Sequence, residues 1–405
     1  MRQRCAKLGR AANPPALWMW WCILALTAVS FCGADTFINR ENGETLHGYE
    51  TSSRDGAATL VQATERGAVK LNLAEWKVVP DRTGRRNEVV VVELTGPIMY
   101  EIETDALEKA VVRIGDEGPL FILLEVDTPG GRVDLAQRIC AALSGADNVQ
   151  VITYIEGGPS GGALSAGAAV CLATDKIYMA NDTVIGAATM ITGEAQTMKQ
   201  AYGEAVGEKL DSAWRAILAS LAERRGRSGL LARAMVDRDI EAVEVNEGGH
   251  RLFIEPVNKK PDQELIKTWS RKGSLLTLTA GEAVNCGFAD GIAASREELL
   301  RKEGVADANV VVDDTIQRAA TELRRAQGQL GRIRKLIDFE VKKSQGQLPP
   351  GEALRILRDA KDQFKALLNL AHKYPDLELD VTALEDEYNS INAAYINLKR
   401  QARQN

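Results

Sequence analysis

Strand-length apolar runs alternate with helical spacing through the middle of this chain, and that alternation limits the fold more than any other feature. Residues 89–94 are apolar except for Glu93, as expected of a strand buried on both faces for most of its length. Residues 102–114 then repeat apolar side chains at helical intervals, and residues 120–126 form a second run like the first. A helical stretch at 133–143, a strand at 149–155, a short helix at 164–172 and a strand at 176–180 continue the pattern. Such alternation implies an α/β domain, a largely parallel sheet covered by helices. Residues 204–224 predict a strong helix, with Val206, Leu210, Ala213, Ile217 and Leu221 on one stripe. A further helix around 280–286 and a short strand close the domain by residue 294.

Different patterns flank this unit. Residues 1–34 hold Arg2, Arg4, Lys7 and Arg10, no acid, and an apolar run from Leu17, so they read as a signal peptide or signal anchor. Cys32 and Ala34 fit a cleavage site before Asp35, while the apolar run is almost long enough to span a bilayer. Either reading exports the body: periplasmic, or tethered to a membrane and facing away from the cytoplasm. Residues 35–81 alternate short apolar runs with Asn42-Gly43, Asp55-Gly56 and Arg66-Gly67, hairpin signals that suit a small SH3-like β module. The α/β domain takes residues 88–302. From 313 to 405, charged and apolar residues alternate at helical spacing, broken by Pro349-Pro350 and Pro375 into helices near 314–345, 351–373 and 381–403. This C-terminal helical appendage, a hairpin or three helices, suits interaction surface better than chemistry. The formal net charge of −6 argues against a general nucleic-acid partner. Outside the leader, Cys140, Cys171 and Cys286 show neither zinc-site spacing nor a disulfide framework and read as small core residues; no metal or cofactor is expected.

Two glycine-rich segments carry the candidate chemistry. Asp127-Thr128-Pro129-Gly130-Gly131 follows a buried strand, and its proline and glycines allow backbone N–H groups to turn inward as an oxyanion hole. The same spelling also serves an ordinary strand-to-helix turn. Residues 157–167 place four glycines before Ser165, in the first turn of a helix beside Ala166 and Gly167. Small neighbours leave room for a substrate backbone, or for close helix–sheet packing. A serine nucleophile needs a base. Of His47, His250 and His372, only His250, beside Gly248-Gly249 in an expected loop, has a plausible approach. A lysine with a pKa lowered by burial is the alternative. Lys209 is the candidate, because Ala205, Ser212, Ala213, Ala216 and Ser220 give its side of the helix a small-residue surface. A lone helical lysine is otherwise solvated.

Residues 88 to about 300 resemble the NfeD-type, ClpP-class membrane-associated serine proteases, which are similar in turn to signal peptide peptidase SppA. The resemblance rests on the 127–131 turn, on 161–167, on 181–188 and on 209–227, with 276–283 and 287–290 resembling the family's closing helix. It implies a ClpP/crotonase-like fold of repeated ββα turns, with Ser165 as nucleophile and Lys209 as general base. Gly130, Gly131 and the backbone of Ala166 would form or flank the oxyanion hole. The implied activity is endopeptidase cleavage of apolar or membrane-associated polypeptide segments through an acyl-enzyme. Implied partners are the polypeptide substrate, further copies of the chain as a homo-oligomer, and a membrane protein. Lys199 competes as base but lacks the matching helix register.

Three other readings remain open. One is a catalytically inactive scaffold on the same fold. Another is an α/β-hydrolase-type esterase with His250 as base, which would require a strand running directly into Ser165, whereas ten glycine-rich positions separate it from Ile155. The third is a crotonase acting on coenzyme A thioesters, for which no acidic pair is placed.

Overall fold

Val89, Val90, Val91 and Val92 are all buried, and side chains of a strand point alternately to opposite faces. Val90 and Val92 enter one apolar cluster, whereas Val89 and Val91 enter another on the far side. Residues 120–126 divide the same way, Ile122 and Leu124 against Phe121 and Leu123. The unbroken apolar runs therefore mark strands covered on both faces. The computed structural model describes residues 35–55, 58–63, 66–72, 75–79, 85–193, 195–343 and 348–404. The expected leader at 1–34 lies outside these described residues.

An N-terminal sheet holds β1 (Asp35–Asn39), β2 (Thr45–Asp55), β3 (Ala58–Ala63), β4 (Gly67–Asn72) and β5 (Trp76–Val79). Its order is β4-β3-β2-β1-β5, all antiparallel, so β4 and β5 are edges with no pairing between them among the described residues. Phe37, Leu46, Val61, Leu71 and Trp76 form its small core.

The central domain begins with β6 (Arg86–Thr95), α1 (Glu101–Glu117), β7 (Pro119–Asp127), α2 (Val133–Ser144) and β8 (Gln150–Ile155). It continues through β9 (Gly162–Leu164), α3 (Ala166–Leu172), β10 (Lys176–Met179) and β11 (Val184–Gly186). Then come α4 (Met198–Tyr202), α5 (Glu204–Arg224), α6 (Gly229–Val236), β12 (Ala242–Glu247), β13 (His250–Ile254) and β14 (Glu264–Ser270). β15 (Thr277–Thr279), α7 (Ala280–Asn285), β16 (Gly291–Ile292), α8 (Arg296–Lys302) and β17 (Asn309–Asp313) complete it. Strands β16-β10-β8-β7-β6-β17 make one six-stranded sheet with every pairing parallel. Helices α1, α2 and α3 supply the cover on one face, through residues such as Leu107, Ile114, Leu135, Ile139 and Val170, and α8 covers the other with Leu299 and Leu300.

Two smaller sheets depart from the sequence expectation. Strands β15-β11-β9 form a second layer, and β13-β12-β14 form an antiparallel sheet. His250, expected in a loop, opens strand β13 and is exposed. Strand β9 has only three residues, too short to leave a periodic signal, and it arises because Gly162-Ala163-Leu164 pairs with β11.

Three helices end the chain: α9 (Thr315–Lys343), α10 (Pro350–Lys373) and α11 (Val381–Gln404). Pro350 starts α10, where its fixed φ and missing N–H cost nothing, and Pro375 opens a single 3₁₀ turn before α11. Ala326 and Leu330 of α9 pack with Leu367, Leu370 and Tyr374, and Ile102 of α1 joins them. Among the described residues no helix is long and apolar enough to cross a membrane.

Candidate active site

Ser165 stands between β9 and α3, not inside the first helical turn, with φ 53° and ψ −125°. That region is disfavoured for a residue with a Cβ, and its occupation costs about 1–3 kcal/mol. Backbone bonds impose it. Leu164 N–H donates to Thr128 O at 3.0 Å, and Ser165 N–H donates to Gly186 O at 2.9 Å. A strand therefore does run directly into the serine, and a helix leaves it. The feature whose absence argued against a nucleophile elbow is present, built from β9 instead of β8.

The 127–131 turn lies against this elbow. Thr128 bridges Ala163, with Thr128 N–H donating to Gly162 O at 2.8 Å. A Cβ on Gly130 would stand 2.5 Å from Ser165 Cβ and 3.0 Å from Ala166 N, so only glycine fits. Gly130 N–H is already engaged with Thr128 Oγ1 at 3.1 Å. Ile98 N–H donates to Gly130 O at 2.9 Å, and Arg132 N–H donates to Ile98 O at 2.8 Å. That parallel bridge turns the intervening Gly131 N–H away from Ile98. Among the described residues, neither Gly131 N–H nor Ala166 N–H has a hydrogen-bond partner. Gly131 is exposed and Ser165 half-buried.

Asp127 has a further role that the sequence did not reveal. Its buried carboxylate accepts Ser160 N–H at 3.0 Å and Gly162 N–H at 3.1 Å. It thereby holds the glycine-rich loop leading to Ser165. The signal was an acid ending a nine-residue, fully buried strand, which demands a local partner.

The expected base makes no hydrogen bond to the serine. Lys209 is exposed on α5 and makes no hydrogen bond or ion pair among the described residues. The small-residue surface around it does not enclose it, because Val206 and Leu210 on the same helix are themselves 51% and 40% exposed. Of the predicted stripe Val206, Leu210 and Ala213 are exposed, Ile217 is half-buried and Leu221 alone is buried; the buried face instead runs through Trp214, whose Nε1 donates to Ala188 O at 2.8 Å, and Leu218. Lys199 is tied to Glu208 at 2.8 Å and Glu204 at 3.0 Å, and those hydrogen bonds, Glu208 first, hold its pKa above the ordinary lysine value. A charged lysine is a poor base. His250 makes no hydrogen bond to Ser165.

The cysteines are not poised to act as nucleophiles. Cys140, Cys171 and Cys286 are free and buried, and burial pushes the Cys140 and Cys286 thiols up to about 12. Among the described residues, no three His, Cys, Asp or Glu side chains are grouped to hold a metal ion.

Residues 94–261 match the family model of the NfeD1b N-terminal domain. Membrane protein NfeD1b of Bacillus subtilis is 31% identical over 189 residues, which are 47% of this chain and 35% of that protein. Membrane-bound protease PH1510 of Pyrococcus horikoshii is 29% identical over 157 residues, 38% of this chain and 34% of that one. The chain thus covers about a third of the length of these curated relatives. A solved mutant of the 1510-N membrane-bound stomatin-specific protease aligns at 23% identity and TM-score 0.41, covering 56% of this chain and 98% of that one. The family-model match spans β7, the 127–131 turn, the Ser165 elbow and α5, and it agrees with the resemblance those segments carry in the sequence. Over residues 94–261 the chain is therefore similar to the NfeD1b N-terminal domain, and NfeD1b and the membrane-bound protease PH1510 are homologous to part of it.

Proposed function

We propose that this protein is a serine endopeptidase working through an acyl-enzyme on Ser165. The observation that carries the reading is the disfavoured backbone of Ser165 with Gly130 packed against its Cβ, beside a turn and a helix start whose Gly131 N–H and Ala166 N–H have no hydrogen-bond partner among the described residues. In this reading Lys209 Nζ takes the Ser165 proton as Oγ attacks the scissile carbonyl carbon. The two amides hold the resulting oxyanion. The tetrahedral species collapses, Lys209 returns the proton to the leaving amine, and the C–N bond breaks. Water then attacks the acyl ester, giving the free acid and restoring Ser165.

Lys209 needs to lose its charge, which requires removal from water. The arm that carries it, α4 with the first half of α5, also exposes Tyr202, Val206 and Leu210. Covering that apolar surface with a second copy of the chain would desolvate the amine, which supports the homo-oligomer. An apolar polypeptide segment is the substrate class such a surface favours. The fold reading of repeated ββα turns is supported by β8-β9-α3, where the second strand of the pair joins the smaller layer. An exported, membrane-tethered setting, with a membrane-protein partner, fits the leader and the names of both relatives.

The exposed Lys209 favours a second reading, a catalytically inactive scaffold. Fluorophosphonate labelling of the full chain separates the two. Labelling that disappears in Ser165→Ala and falls at least tenfold in Lys209→Ala, but not in Lys199→Ala, is expected. An unlabelled wild-type protein, folded and assembled, overturns the endopeptidase reading.

A further inference from the structure

The helix beginning at Glu101 lacks a cap of its own. Its Ncap residue, Tyr100, makes no side-chain cap bond. The first N–H groups of a helix need partners, and negative charge is favoured beside them. Here the partner comes from the C-terminal helical unit. Asp376, in the 3₁₀ turn Pro375–Leu377 between α10 and α11, accepts Glu101 N–H on Oδ1 at 2.6 Å and Ile102 N–H on Oδ2 at 2.9 Å. The contact is more than a polar touch. Ile102 packs against both the central core and the helical cluster of Ala326, Leu330, Leu367, Leu370 and Tyr374. Tyr374 hydroxyl and Lys373 Nζ both donate to Glu322, at 2.7 and 3.0 Å, and join the end of α10 to α9.

The capped segment leads straight into the site. Ile98, three residues before Glu101, is buried and clamps both neighbours of Gly131 through Gly130 O and Arg132 N–H. Arg132 Nη2 also reaches Glu101 Oε1 at 3.5 Å. The path from Asp376 to Gly131 is therefore continuous: carboxylate, helix N-terminus, Ile98 bridge, turn.

We propose that Asp376 is a positioning residue for catalysis, through which the C-terminal helical unit sets the Gly131 amide opposite Ser165. The inference rests on the endopeptidase reading for its kinetic consequence but not for its structural one. The appendage is thus part of the active-site support, and a partner that pulled it away would switch the site off. Misplacing an oxyanion donor by an ångström costs on the order of a hundredfold in rate.

The test uses full-length wild type, Asp376→Ala and Asp376→Asn. Hydrogen exchange by mass spectrometry is read over 98–104 and 127–132, alongside the rate of fluorophosphonate labelling and peptide turnover. Asp376→Ala should speed exchange in both segments and lower kcat about tenfold to a hundredfold, with KM within about twofold. Asp376→Asn, which keeps one acceptor oxygen and the side-chain volume, should recover part of the rate. Faster exchange confined to 98–104, or a lowered KM-dependent rate with kcat unchanged, overturns the proposal. Absence of labelling in all three proteins overturns the endopeptidase reading alone, while the exchange result still decides the coupling.

Discussion

Gly130 makes room for Ser165: a methyl group at 130 would lie 2.5 Å from the serine Cβ. The 127–131 turn and Ser165 therefore come within contact because one of them lacks a side chain. Gly130 also has φ 97°, which costs an L-residue about 1–2 kcal/mol. Gly130→Ala should lower stability by at least that amount in a denaturant titration. Its fluorophosphonate labelling should fall to background, because the turn must retreat from Ser165. Unchanged labelling in a soluble Gly130→Ala protein would show that the turn is not needed at this distance.

The strain at Ser165 gives a prediction of opposite sign. Glycine accepts positive φ without penalty. Ser165→Gly should therefore be more stable than Ser165→Ala by about 1 kcal/mol, although both lack the hydroxyl. Thermal unfolding of the two variants checks this. A Ser165→Gly protein less stable than Ser165→Ala would mean that the elbow is not held under strain.

Asp127 tests the other support of the elbow. A carboxylate accepting two backbone N–H groups contributes about 1.5–3 kcal/mol for each charged hydrogen bond. Asp127→Ala should lose at least about 2 kcal/mol and expose the Ser160 and Gly162 amides to exchange. Asp127→Asn retains one acceptor and should fall between the two. Equal protection of residues 158–162 in wild type and Asp127→Ala would remove this anchoring role.

Glu103 adds a pH dependence. It is half-buried; burial first, and the negative charge of Asp376 second, push its carboxyl above the ordinary glutamate value, with Arg324 opposing. The folded protein therefore holds this proton more tightly than the unfolded chain. The stability linked to it is complete below the unfolded value and is lost as pH rises through the folded one. Glu103→Gln should gain stability relative to wild type at neutral pH and flatten the slope just above the carboxylate range. Parallel pH–stability curves for the two proteins would contradict this.

Much of the central domain is legible because its signals are local. The valines at 89–92 declare a strand buried on two faces, and the pairs of prolines and glycines mark where elements stop. Pro350 and Pro375 lie at the start of α10 and of the 3₁₀ turn, where the sequence places breaks. The 127–131 turn and Ser165 are likewise visible as motifs, and the structure packs Gly130 against the serine. Strand β9 is not legible: its three residues pair with a strand well downstream, and no periodicity survives at that length. His250 reads as loop because Gly248-Gly249 dominates its surroundings, yet it opens a strand.

Lys209 shows where pattern reading stops. Its neighbours at helical spacing are small, alanines and serines, a composition that signals burial only if something packs on that face. In the single chain nothing does. The order of apolar and polar residues thus determines the elements, the doubly covered sheet and the serine on its glycine-rich loop, since each depends on backbone propensity and local burial. The positive φ of Ser165, the Gly131 and Ala166 amides without partners among the described residues, the Asp127 anchor and the Asp376 cap were decided by tertiary structure. Each joins groups distant in the chain, and hydrogen bonding between them is set by where the whole fold delivers two backbones, which no local pattern encodes.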